Sequence, residues 1–180
     1  AKRLGSIRSP MADIKFATDV QVLSRFYDVC DYRSESQIVA SSMRKVGKGQ
    51  IAAIYFNAGS SYAQSKTFVI RDFIRETIEK LSPEKQVEVT GSHLVHVALN
   101  KLNGKTYINL VNVAGEHTNQ NAVGYDQVPA LPNLLVSIQG KASKVILQPE
   151  GKELNLTFSN GKTFVVVPQV EIHSILEVME

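Results

Sequence analysis

Four histidines, His93, His96, His117 and His173, are the side chains best suited to proton transfer or metal ligation near neutral pH. His93 and His96 are three apart, which on a strand sends them to opposite faces, so these two alone do not make a shared metal site. His117 falls in a later connection, free to meet either one. Zinc wants three or four converging ligands, and no spaced set of cysteines or carboxylates supplies the remainder. The plainer expectation is surface or satisfied-core histidines, with a metal-using enzyme built on His93, His96 or His117 as the outsider. The one thiol, Cys30, sits between Asp28 and Asp31, whose charges disfavour the thiolate a nucleophile needs. Glycoside hydrolysis requires two carboxylates fixed on opposite sides of a sugar. Glu116 and Asp126 share one connection, but nothing in the sequence fixes them there. Gly59-Ser60-Ser61-Tyr62 and Gly47-Lys48-Gly49 read as turns, since a phosphate loop needs Gly-Lys followed by Ser or Thr. No catalytic residue emerges.

Binding chemistry has a better candidate. The stretch Glu116 to Pro132 holds Glu116, His117, Asn119, Gln120, Asn121, Tyr125 and Asp126. Amides, carboxylates and an aromatic ring suit sugar hydroxyls and sugar faces. Tyr107 and Tyr125 are the stacking candidates. A solvated surface loop is the plainer alternative.

The elements that must position these residues follow from patterning. Gly91 to Asn112 is a hairpin: two runs of strand length flank Asn103-Gly104, and a two-residue type I′ turn needs positive φ at both positions. Before it, residues 14–32 and 37–46 favour strands. Ile51–Phe56, apolar throughout, predicts a central strand covered on both faces. Asn57–Tyr62 predicts a loop, and Ser65–Leu81 one helix capped by Ser65, with Val69, Ile70, Phe73, Ile74, Ile78 and Leu81 on its inner face. After it, strands are predicted at Val87–Thr90, His93–Leu102, Thr106–Val113, Leu134–Gln139, Lys144–Gln148, Glu153–Ser159, Lys162–Val167 and Glu171–Val178. Leu154, Leu156 and Phe158 share one face of the sixth of these. Val113 to Leu131 is a long connection of the kind that often carries function. The fold class is therefore α+β and mostly β: a strand-strand-strand-helix segment over residues 1–84, then an antiparallel β-sandwich over 85–180.

Composition narrows the partners. With 180 residues and 43% hydrophobic content, the chain has the composition of a globular protein with a core to bury. Twenty Lys and Arg against 17 Asp and Glu leave a net charge of +3 without a clustered basic stripe, so nucleic acid is not the expected partner. No apolar run reaches the roughly 18 residues of a membrane span. One cysteine allows no internal disulfide and does not fix a compartment. The chain opens on Ala1 with no visible signal peptide, and its first half reads as the end of a domain, which suggests a piece of a longer protein.

Gly47-Lys48-Gly49-Gln50-Ile51-Ala52-Ala53-Ile54-Tyr55-Phe56, then a helix, then His96-Val97-Ala98-Leu99 and Tyr107-Ile108-Asn109-Leu110-Val111-Asn112, resemble the C-terminal part of large bacterial glycoside hydrolases related to β-galactosidases. The closing Val166-Val167-Pro168-Gln169-Val170-Glu171-Ile172-His173 resembles the same region. In that family a catalytic barrel precedes an amidotransferase-like α/β domain and a small β-sandwich. The resemblance, over roughly residues 20–178, implies an accessory module whose catalytic carboxylates lie elsewhere, without a cofactor, joined to the rest of a hydrolase polypeptide. It also implies a periplasmic or secreted setting. A carbohydrate-binding sandwich is the alternative role. An unpaired edge strand in the first half predicts a homodimer.

Overall fold

The computed structural model describes residues 5–7, 9–10, 14–27, 33–115 and 127–179. Among them the chain is mostly β, with antiparallel sheets and two helices. Contacts divide it into two compact units, Ala1–Glu84 and Lys85–Glu180.

The first unit is an antiparallel meander of β1 (Gln21–Tyr27), β2 (Glu35–Val46) and β3 (Gly49–Ile54), followed by α1 (Ala58–Ser65) and α2 (Phe68–Leu81). The strand order β1-β2-β3 corrects one expectation. The apolar run at Ile51–Phe56 is not a central strand but an edge, and Ile51 is 58% exposed. The doubly covered strand is β2, where Val39, Ala40, Ser41 and Ser42 are buried in succession. A polar strand occupies the centre because its hydroxyls find partners: Ser41 shares a 2.6 Å hydrogen bond with Ser24, and Ser42 another of 2.6 Å with Tyr55.

A second correction concerns the helical stretch. Residues 57–62 are not a loop: Asn57 caps α1, its Oδ1 accepting from the Ser60 N–H at 3.2 Å. Ser65 closes α1 rather than opening the next helix, and its Oγ donates to the Ser61 carbonyl. Lys66 turns left-handed at φ 49°, ending one helix, and Thr67 precedes the next. The inner face of α2 runs through Ile70 and Thr77, with Phe73 and Ile74 half-buried, whereas Ile78 and Leu81 are exposed. Phe73 meets Phe56 at a tilt with 5.4 Å between ring centres, and Phe56 meets Phe26 edge-on at 5.6 Å.

The second unit carries nine strands among its described residues: β4 (Val87–Thr90), β5 (Val95–Leu102), β6 (Lys105–Asn112), β7 (Leu131–Gln139), β8 (Lys144–Gln148), β9 (Lys152–Glu153), β10 (Leu156–Ser159), β11 (Lys162–Val170) and β12 (His173–Met179). They form a four-stranded sheet, β10-β11-β7-β4, and a five-stranded sheet, β5-β6-β12-β8-β9. Both sheets supply one core. Ile108, Leu110, Val145 and Leu176 come from the larger sheet, and Leu134, Val136, Val165 and Val167 from the smaller, none above 1% exposed. Burial of each such side chain contributes roughly 1.5–3 kcal/mol. Asn103-Gly104 turns the β5–β6 hairpin with φ of 51° and 76°, and Asn160-Gly161 turns β10–β11 with 49° and 75°. Both are the left-handed pairs a type I′ turn demands.

The strand expected over Glu153–Ser159 is broken in two. Leu154 drops into the core, and its N–H donates to the Val145 carbonyl at 3.0 Å. Leu156 follows it against the core, while Phe158, at the far end of β10, is half exposed beneath the Lys141 ammonium.

Candidate functional site

Of the candidate binding residues singled out in the sequence, Glu116, His117, Asn119, Asn121, Tyr125 and Asp126 lie outside the described residues, as do Cys30, Asp28 and Asp31. Tyr107 lies within them, and the register around it defines a site. Residues directly opposite in an antiparallel pair share a face. In β6, Ile108, Leu110 and Asn112 point into the core, so Lys105, Tyr107, Asn109 and Val111 take the outer face.

The pairings extend that face into rows across the five-stranded sheet. Tyr107 stands between Asn100 of β5 and Glu177 of β12, and Glu177 is opposite Ile146 of β8. The next row is Ala98, Asn109, Ile175 and Gln148. The last is His96, Val111 and His173. The fold thus sets His96 and His173 on one face, flanking a single valine, whereas His93 precedes β5. Among the described residues no three His, Cys, Asp or Glu side chains converge as metal ligands would.

The polar groups of this face are tied to one another. Lys105 Nζ donates to Glu177 Oε1 at 2.6 Å, and Gln148 Nε2 donates to the other oxygen, Oε2, at 3.1 Å. The hydrogen bonds from Lys105 and Gln148 hold the Glu177 carboxyl below the ordinary glutamate range, against a smaller opposing effect of burial. The hydrogen bond and charge of Glu177 raise the Lys105 ammonium above the usual lysine value. Lys144 pairs with Glu153 at 2.7 Å. His173 Nε2 lies 3.1 Å from Asn109 Oδ1. Beyond His173 the surface dips into an open depression of about 460 Å³, lined by Pro149, Glu150, Gln169, Glu171 and Ile172.

Glu177, the carboxyl at the centre of this face, is not poised as a general acid. A general acid for glycoside cleavage needs a carboxyl kept protonated near neutral pH. Glu177 is driven the other way and has both oxygens occupied. What remains is an array of amide, imidazole and ammonium groups around the Tyr107 ring.

Sequence reasoning missed Lys105, Asn109, Gln148 and Glu177 as members of the site. The signal was present at Glu177, a lone carboxylate inside the apolar run Ile175-Leu176-Glu177-Val178. A charge there requires a partner, but the partner lies 72 residues away.

One buried side chain anchors the end of this region. Asn112 Nδ2 donates to the carbonyls of Pro129 at 2.8 Å and Glu171 at 2.7 Å, and its Oδ1 accepts from the Ala114 N–H at 2.9 Å. It therefore ties both described ends of the long connection to the β11–β12 turn.

No protein-family model and no curated protein matches this chain. Solved structures do. The chain is similar to α-L-fucosidase isoenzyme 2 from Paenibacillus thiaminolyticus at 18% identity and a TM-score of 0.61, covering 86% of this chain and 25% of that one. A GH42 β-galactosidase from G. stearothermophilus is matched at 18% identity with a TM-score of 0.43, over 83% of this chain and 17% of that one. The likeness to the fucosidase is one of fold, and the chain spans a quarter of that enzyme's length.

Proposed function

We infer that this chain is a non-catalytic C-terminal accessory module of a glycoside hydrolase, supporting the packing or assembly of a larger hydrolase polypeptide. In this reading the two sheets of Lys85–Glu180 face each other as a β-sandwich, and Ala1–Glu84 is the tail of an amidotransferase-like domain. The observation that carries it is the fold likeness to the fucosidase, which takes in nearly all of this chain but only a quarter of the enzyme. The described chemistry agrees, because the one perturbed carboxyl on the polar face is held ionised. Making the longer hydrolase polypeptide with and without residues 1–180 tests the proposal. The shortened form is expected to unfold at lower temperature or lose its assembly. Turnover of aryl fucosides or galactosides by the isolated chain would overturn it.

A second reading has its own support. The rows around Tyr107 place an aromatic ring among Asn100, Asn109, Lys105 and Gln148 on a sheet face, which is the chemistry of a carbohydrate platform. Binding of an oligosaccharide by the native state raises the melting temperature by an amount set by RT ln(1 + [L]/Kd). A sugar-specific rise that Tyr107→Ala abolishes favours this reading. A rise unchanged by Tyr107→Ala moves the binding elsewhere.

A further inference from the structure

The three-stranded sheet has two edges, and they differ. β1 departs from regular register against β2 at three places, and such irregularities blunt an edge against pairing. β3 runs against β2 without a shift from Gly49 to Ile54. Its residues, Gly-Gln-Ile-Ala-Ala-Ile, include no charge and no proline. Ile51 on it is 58% exposed. Of the usual protections of an edge strand, charge, proline and a bulge are absent from β3 itself.

The register also says which backbone groups are free. Val46 and Gly49 close the hairpin across the two-residue turn Gly47-Lys48, so they form a hydrogen-bonded pair. Alternation continues to Tyr55, whose N–H donates to the Ala40 carbonyl at 3.0 Å. Gln50, Ala52 and Ile54 therefore turn their N–H and C=O groups away from β2. Among the described residues, no hydrogen bond to these outward groups is found.

We propose that β3 pairs with β3 of a second copy, antiparallel about a two-fold axis at Ala52, to make a continuous six-stranded sheet. In this register Ala52 meets its own counterpart and Gln50 meets Ile54. These are the residues with outward groups, so each pairing falls on a position able to exchange both hydrogen bonds. On the other face the exposed Ile51 lies opposite the small Ala53 of the second copy, leaving room for its side chain. Charge does not oppose a second copy. The basic hairpin end, with Lys48 at its tip, is four residues from the axis, so the two tips lie at opposite ends, roughly 27 Å apart along the strands. That exceeds the screening length of about 8 Å at physiological salt. The interface is isologous, as a two-fold dimer requires. This proposal does not rest on the hydrolase reading and fails separately from it.

Sedimentation of the full chain up to about 500 μM is the test, because strand pairing alone buries less than a standard interface and associates weakly. The mass is expected to rise toward twice 19.8 kDa with concentration. Ala52→Pro removes an outward donor and none directed at β2, and proline is tolerated on edge strands. It should hold the chain monomeric with its circular dichroism unchanged. Ile51→Lys, at an exposed position, should do the same by charging the edge, and it keeps the test valid if the proline variant misfolds. A wild-type chain that stays at single-chain mass throughout overturns the proposal. So does a dimer that persists in the well-folded variants.

Discussion

Asn112 offers the sharpest test of how the second unit is held together. Its side chain is 8% exposed and makes three hydrogen bonds, all to backbone: to Pro129, Glu171 and Ala114. Asn112→Ala leaves two carbonyls and one N–H without their partner. At a net value of about 1 kcal/mol per bond, the loss is about 3 kcal/mol. Asn112→Asp is the more informative change, because its shape is nearly the same. One carboxylate oxygen still accepts from Ala114, but the other faces two carbonyl oxygens where an amide had donated. The charge is also buried without a cation among its hydrogen-bond partners. Asp should therefore destabilise more than Ala at neutral pH, the reverse of what side-chain volume predicts. Urea unfolding of the full chain reads this out by far-UV circular dichroism, since the chain contains no tryptophan. With a urea dependence of about 1–3 kcal/mol per molar, the Ala variant moves the midpoint down by roughly 1–3 M. A loss below about 1 kcal/mol for Ala, or an Asp variant more stable than the Ala one, would refute the network.

Other outcomes follow from the same structure. The Glu177 carboxyl is lowered below its ordinary 4.5, so its contribution is present above about that pH and lost on further acidification. The Lys105 ammonium is raised above its ordinary 10.5, so its contribution is present below that pH and lost as alkalinity increases. The stability gap between wild type and Lys105→Met should accordingly be flat across the middle of the pH range and shrink at both extremes, as measured by urea midpoints against pH. Gly104→Ala forces a side chain into φ 76°, which should cost about 1–2 kcal/mol in urea unfolding, whereas Asn103→Gly should be close to neutral in the same assay. Leu110→Ala empties a fully buried position and should cost about 2–5 kcal/mol in chemical denaturation.

Features that depend on a few consecutive residues were legible in the sequence. Asn103-Gly104 announces its turn because positive φ is a local steric requirement, met by those residue types wherever they occur. The strand predicted at Leu134–Gln139 is found within β7, where Leu134, Val136 and Ile138 are buried because strand geometry sends every second side chain the same way. The helix ending at Leu81 was visible for a similar reason, although its inner face includes Thr77 in place of Ile78. There a hydroxyl satisfied by the Phe73 carbonyl can be buried, and hydrophobicity alone does not express that.

Pairing belongs to the tertiary structure. Ile51–Ile54 reads as a core strand from its apolarity, yet it is an edge, because apolarity does not say how many neighbours a strand has. Asn57 looked like part of a loop until its side chain was seen closing the first turn of α1. Tyr107 could be singled out as a stacking candidate from the sequence, but not the company it keeps. Glu177, Gln148, His96 and His173 reach its face only through the order β5-β6-β12-β8, and the Lys105–Glu177 bond spans 72 residues. Local stereochemistry writes turns, helices and face alternation into neighbouring residues. Which strands become neighbours is decided when two sheets bury one shared core, and the polar face is assembled as a consequence of that burial.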